Sequence, residues 1–222
     1  MQVLANGPDI PDEPLQAHEG GRVVFFCGAG ISYPAGLPGF KGLVDKIYEF
    51  LGTTPEPSED SAYELGRYVA VLDLLERRFP GQRHAVRKAL SVALQPKLRK
   101  KDATATHQAL LQLVRSRSGA LRLVTTNFDR IFAKVTSRTK ASVTAFPAPF
   151  LPIPKNRWDG LVYLHGLMPQ NDGDAASLDR LVVSSGDFGL AYLTGRWAAR
   201  FVTELFRNFL VCFGASGKAC LF

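Results

Sequence analysis

The stretch VVFFCGAGISYPAGLPGF, Val23–Phe40, decides how this chain is read. Five apolar residues, most of them β-branched or aromatic, run without a polar partner into Gly28 and Gly30. A run that is apolar on both faces and closed by glycine predicts a strand buried inside a parallel sheet, here Arg22 to Cys27. Glycines at its end let the backbone turn tightly and approach a ligand to hydrogen-bond distance, where a Cβ would obstruct it. A helix opening just beyond would point unpaired N–H groups at a phosphate. The spacing is not the dinucleotide fingerprint GxGxxG, because the next glycine after Gly30 is Gly36, and without GK[ST] there is no P-loop. By itself GAG fits a tight turn that binds nothing equally well.

Outward from this stretch the pattern alternates. Residues 1–20 are polar, acidic and proline-containing and read as a flexible N-terminal arm. After the glycines, a helical insertion is expected over about residues 43–117. It holds one helix on Leu43, Ile47, Phe50 and Leu51, one spanning Tyr63, Leu65, Tyr68, Val69, Leu72 and Leu75, one from His84 to Leu94, and one on His107, Leu110, Leu111 and Val114. LRLVTTNFD then reads as a short strand with FDRIFAKV opening a helix behind it. FPAPFLPIPKNRWDG carries four prolines and reads as a surface connection or lid. LVYLHG and LVVSSGDFG read as further strands, a long helix with Phe188, Tyr192, Phe201, Leu205 and Phe209 inward follows, and LVCFGAS is the last strand. Strands separated by helices predict an α/β domain over 21–222, Rossmann-like, with a mostly parallel sheet and helices on both faces. In such sheets ligands bind beyond the carboxyl ends of the strands, so GAGIS, TTNFD, LHG and FGAS are expected to share one rim.

The composition bounds the function. In 222 residues there are 27 Lys+Arg against 20 Asp+Glu, a net charge of +7, with basic residues gathered in Arg77–Lys101 and at Arg115 and Arg117. This favours anionic partners; a solvated helical face and a nucleic-acid surface both stay open, although no aromatic residues interleave with the charges as a stacking platform. Cys27, Cys212 and Cys220 form no CxxC pair, so a four-thiolate zinc site cannot be written. No apolar run is long enough to span a bilayer, and MQVLANGPDIPDEP lacks the basic-then-apolar order of a secretory signal, so no membrane association and a cytoplasmic location are expected.

Three motifs in order carry a resemblance. GAGISYPAGLPGF resembles the opening motif of the sirtuin superfamily, GAGISxxSGIPDFR; TTNFD resembles its TQNID; and LHG falls where that family keeps its catalytic histidine. ATATHQALLQL is similar to its PxxxHxAL helix without the proline. The resemblance covers about Val23 to Ser216. The residues after His165 contain no cysteine where sirtuin deacetylases insert a two-CxxC zinc ribbon, and PDFR has become Pro38-Gly39-Phe40-Lys41. The pattern is closer to the SIR2-like domains of bacterial defence proteins, whose known activity is hydrolysis of NAD+. Such relatives continue beyond the last strand, whereas this sequence stops at GASGKACLF.

The resemblance implies NAD+ as substrate, no zinc, and cleavage of the nicotinamide–ribose bond to nicotinamide and ADP-ribose in antiphage defence. Gly28, Ala29 and Gly30 would contact the diphosphate, with Ser32 capping the next turn. Phe40 would cover the nicotinamide site, and Thr126 would line the cofactor pocket. Asn127 would hold the ribose or a water, Asp129 would meet the carboxamide, and Gly214 and Ser216 would bind phosphate and ribose. His165, with an ordinary pKa near 6.5, suits a general base on a ribose hydroxyl or water. Read without the family, Asn127 and Asp129 would be an Asx-turn and a helix cap, and His165 a hydrogen-bonded structural residue. His18, His84 and His107 are given no catalytic role. Two other activities fit the same residues: an NAD-dependent deacylase or ADP-ribosyltransferase, and a non-catalytic module sensing NAD+ or ADP-ribose. A homo-oligomer or a sensor protein is the expected partner.

Overall fold

A computed structural model describes residues 11–116, 119–139, 142–155, 158–171 and 174–214. Helix α1 (Asp12–Glu19) precedes β1 (Val23–Cys27), and a 3-10 turn over Ala29–Ala35 leads to α2 (Phe40–Leu51), α3 (Pro57–Glu64), α4 (Tyr68–Arg77), α5 (Gln82–Ala93) and α6 (Ala105–Leu113). β2 (Arg122–Thr125), α7 (Ile131–Arg138), β3 (Ala145–Pro147) and β4 (Gly160–Tyr163) follow. The short helices α8 (Ala175–Asp179) and α9 (Ser185–Phe188), a π-helical turn over Gly189–Thr194, α10 (Trp197–Asn208) and β5 (Leu210–Gly214) complete the described chain.

The strands form one five-stranded sheet in the order β3-β4-β2-β1-β5. Every pairing is parallel, with Cys27 opposite both Thr125 and Gly214, and Thr125 opposite Tyr163. The fold is α/β and Rossmann-like. All carboxyl ends therefore lie on one rim, and β1 sits where the chain order reverses, the position at which such sheets open a crevice. Alternate side chains supply the two faces. Cys27, Leu123, Leu161 and Tyr163 pack with Leu110 and Leu111 of α6 and Ile131, Phe132 and Val135 of α7. Val24, Phe26, Val124 and Val162 pack against Ala198, Phe201 and Leu205 of α10. The central strands are mainly apolar and buried because helices cover both sides, whereas the edge strands β3 and β5 are partly exposed.

Helices α2, α4 and α5 form a third cluster with Phe128, Met168, Leu178, Leu181 and Val183, residues that follow β2 and β4. The inserted helices thus stand over the rim rather than beside the sheet. Gly52, left-handed at φ 61°, ends α2: its N–H turns back to the Glu49 carbonyl and the next N–H, of Thr53, to the Tyr48 carbonyl.

Several elements differ from expectation. Part of the N-terminal arm is helix α1, which buries Ala17. The glycines open a 3-10 turn rather than an α-helix, since Pro34 lies inside it and Gly36, at φ 77°, closes it. The helix expected across Tyr63–Leu75 is two, split where Gly66 turns left-handed at φ 69°. LVVSSGDFG is not a strand: Val182 makes one backbone bond, to the His165 carbonyl, and the chain then enters α9 through a capping box between Ser184 and Asp187. The long helix expected behind it is interrupted by the π-helical turn. Within the proline-rich connection, residues 145–147 add β3 at the sheet edge, where Pro147 removes no ladder donor that an inner strand would need.

Candidate active site

The ends of β1 and β2 are tied together by their own backbone. The Thr126 N–H and the Thr125 hydroxyl both donate to the Cys27 carbonyl, each at 3.1 Å, and the Asn127 N–H donates to Thr125 Oγ1 at 3.1 Å. This turn directs Asn127 and Asp129 back toward the glycine loop, where both are buried. Ser32 is the hub. Its hydroxyl donates to Asp129 Oδ2 at 2.8 Å and accepts from Asn127 Nδ2 at 3.1 Å, while His107 Nε2 stands 3.4 Å away. One donor and two lone pairs are thereby used, so Ser32 serves to hold its neighbours rather than as a free nucleophile. The hydrogen bonds described for the Ser32 hydroxyl all go to side chains, whereas it is expected from the sequence to cap the following turn.

The other oxygen of Asp129 accepts the Ile131 N–H at 2.9 Å, so the residue also caps the start of α7. Burial raises the Asp129 carboxyl above the usual carboxylate range, against the opposing pull of hydrogen bonds from Ile131, Ser32 and Asn127. Gly28 is buried and extended at φ −112°, whereas Ala29 is exposed and Gly30 half-buried, which leaves peptide edge open to a ligand beside the Ser32 cluster.

His165 arrives on the neighbouring strand. Leu164 N–H donates to the Thr125 carbonyl at 2.8 Å, and Met168 N–H to the Phe128 carbonyl at 2.8 Å, so the loops after β2 and β4 are stitched together. The imidazole lies among aromatic rings: Phe128 at 6.5 Å, Phe188 edge-on at 5.0 Å and Tyr192 at 6.1 Å between centroids. His165 Nε2 and the Tyr192 hydroxyl are 2.9 Å apart. Burial pushes the His165 pKa down to about 4, so the ring is neutral at pH 7. Phe40, first residue of α2, joins the cluster containing Phe128 and stacks on Tyr68 at 6.4 Å. Lys41 turns away, to Asp45 and Tyr63.

Among the expected site residues, Ser32, Asn127 and Asp129 are in direct contact, Thr126 is on the same turn, and His165 is one strand further along the rim. Gly214 closes β5 opposite Cys27, and Ser216 lies outside the described residues. His107, which sequence reasoning set aside, is fully buried, edge-on to Phe132 at 4.6 Å, and among the described residues its Nδ1 has no hydrogen-bond partner. Burial pushes its pKa down to about 4. The PxxxHxAL likeness was the signal for it. Nothing in the sequence identified Phe188 and Tyr192 as walls of the histidine pocket. An open cavity of about 750 Å³ lies elsewhere, lined by Phe146, Trp158, Asp159 and Glu204, with Asp159 at the opposite end of β4 from His165. Among the described residues no three His, Cys, Asp or Glu side chains are grouped to hold a metal, and no helix is long and apolar enough to cross a membrane.

Comparison with known proteins finds a family match for the part of the rim that β2 and the later strands supply. Residues 121–218, from β2 onward, match the SIR2-like domain. The chain is also 36% identical over 212 residues to the uncharacterized protein y4cA of Sinorhizobium fredii (strain NBRC 101917 / NGR234), an alignment covering 93% of this chain and 17% of that protein. The chain thus spans a small fraction of the relative's length.

Proposed function

We propose that this rim binds NAD+ and hydrolyses its nicotinamide–ribose bond. The observation that carries the reading is the Ser32–Asn127–Asp129 cluster at the joined ends of β1 and β2, with the His165 imidazole at the end of the next strand, all within the crevice position of a Rossmann-like sheet. The SIR2-like match supports NAD+ as the ligand class.

The leaving group carries a positive charge in NAD+ and departs as neutral nicotinamide with the electron pair of the broken C–N bond, so little acid catalysis is required. The protein's task is to orient the dinucleotide, to exclude stray water from an oxocarbenium-like ribose and to accept a proton. The loop at Gly28–Gly30, exposed at Ala29, meets the diphosphate, and Asn127, oriented by Ser32, holds the ribose or the attacking water. Asp129 faces the carboxamide and Phe40 covers the pocket. As the water oxygen bonds to the ribose carbon, its proton passes to the neutral His165, directly or through a ribose hydroxyl. The resemblance to defence-type domains suggests antiphage defence as the setting, in the cytoplasm, with an oligomer or a sensor protein controlling turnover.

Purified protein incubated with NAD+ should release nicotinamide and ADP-ribose, detected by chromatography, and Asn127→Ala and His165→Ala should abolish release. The weak basicity of His165 and its contact with Tyr192 favour one second reading, a module that binds NAD+ or ADP-ribose without turnover. Thermal stabilisation by ADP-ribose with no product under any condition would select it.

A further inference from the structure

Among the described residues the largest fully buried side chain is a charged one, Arg87 of α5, and it points at the segment that walls His165. Its guanidinium bonds Glu76 of α4, donates to the Leu181 carbonyl at 2.7 Å, and reaches Asp187 of α9 at 2.5 Å. Asp187 is saturated: Arg83 donates to its other oxygen at 3.0 Å, and the Val183 N–H, Ser184 N–H and Ser184 hydroxyl all converge on Oδ2 within 3.0 Å. The Arg87 charge holds the Asp187 carboxyl below the usual carboxylate range despite its burial. The next residue, Phe188, lies edge-on to the imidazole and stacks on Tyr192 at 5.7 Å with ring planes 13° apart. The same segment holds the histidine backbone, through Val182 N–H to the His165 carbonyl at 2.9 Å.

Two charges at this depth are costly to desolvate, and apolar side chains would fill the space at least as favourably. A fold needing only a packed helix pair would have no use for them. What the network supplies is direction: the planar guanidinium, held on two nitrogens by Glu76, aims one N–H at Asp187 and so fixes the first turn of α9 in a single orientation. We infer that Asp187, locked by Arg87, is a positioning residue that holds the Phe188–Tyr192 wall against His165, so that the inserted helices α4 and α5 determine the state of the imidazole. This rests on the role proposed for His165.

The test reads the imidazole itself. Nitrogen NMR of histidine-labelled intact protein, with the His165 signal identified by its loss in His165→Gln, gives its titration midpoint. The groups facing the ring are Phe128, Phe188 and the Tyr192 hydroxyl, so admission of water is what loosening would change. In Asp187→Asn and Arg87→Lys the midpoint should rise by about one pH unit or more toward the ordinary imidazole value near 6.5. kcat for nicotinamide release should fall about tenfold or more with a smaller change in KM. Folded variants, by circular dichroism, whose His165 titrates as in the parent would overturn the inference and leave the pair a stabilising contact. Should neither variant fold, Asp73→Ala removes the acceptor that α4 offers the Gly186 N–H of α9, at 2.9 Å, together with the exposed Arg77 pair on α4 itself. It should move the midpoint in the same direction, and an unmoved midpoint overturns the inference. A parent protein that never turns over NAD+ but whose midpoint shifts in these variants would sink the hydrolase reading and support this one.

Discussion

The Ser32 hydroxyl donates to Asp129 at 2.8 Å across 97 residues of sequence, joining the loop after β1 to the turn after β2. Ser32→Ala removes one acceptor of Asn127 and one donor to Asp129 at once, leaving two buried polar groups short of a partner. The expected cost is about 1–3 kcal/mol, visible in thermal or denaturant unfolding, together with loss of stabilisation by ADP-ribose. Asp129→Asn keeps an oxygen for Ser32 or Ile131 and relieves a buried charge, so it should cost less than Ser32→Ala. The reverse ranking would show that Ser32 is not the hub.

Nicotinamide release should persist in acid. A base must be neutral to accept a proton, and the His165 ring, with its pKa pushed down to about 4, stays neutral well below the usual imidazole range. The acid limb of kcat/KM is expected near pH 4 rather than near 6.5, in a pH–rate profile taken where the protein is folded. A limb centred near 6.5 would mean that the ring is solvated in the working enzyme.

Stability should nevertheless fall in acid, partly through His107. In the unfolded chain it protonates at its ordinary value near 6.5, but in the fold only near 4. Between those values the unfolded state binds more protons, so this residue costs stability as pH falls, by roughly 3 kcal/mol when the window has been crossed. Asp129 acts in the opposite sense, because its raised pKa favours the folded state below its folded value and stability is lost as pH rises through the ordinary carboxylate range. Urea unfolding of His107→Gln and the parent between pH 4 and 7 should therefore show a flatter acid slope in the variant.

Gly214 is closely faced by its neighbour. A Cβ there would stand 3.2 Å from Cys27 Sγ, across the β1–β5 register pair. Gly214→Ala should destabilise by about 1–3 kcal/mol, and adding Cys27→Ala should recover much of the loss, a coupling measured in a double-mutant unfolding cycle. Strict additivity would place the strain elsewhere.

Four strands were legible from short apolar runs, VVFFC, GLVY and LVCFG, and LRLVT closing on polar residues, a pattern expected of a covered parallel sheet. LVVSSGDFG carried the same apolar start, yet its S-x-x-D spacing was also a helix-cap signal, and the cap prevailed because Asp187 has two arginines to satisfy. The edge strand at 145–147 was hidden by its prolines. Motif likeness drew attention to Asn127 and His165, but the geometry around them depends on partners far away in sequence. His107 meets Ser32 across 75 residues, and Asp187 meets Arg87 across 100, separations over which local periodicity carries no signal.

The parallel register of β1 on β2 has a consequence for assembly. Sliding one strand by a single residue would displace the glycine loop by about 3.3 Å, more than the length of the Ser32–Asp129 hydrogen bond, and turn its side chains to the opposite face. Nothing resembling a half-built pocket can therefore form on a misaligned sheet. Competence to bind arrives all at once, when the two central strands find their correct alignment.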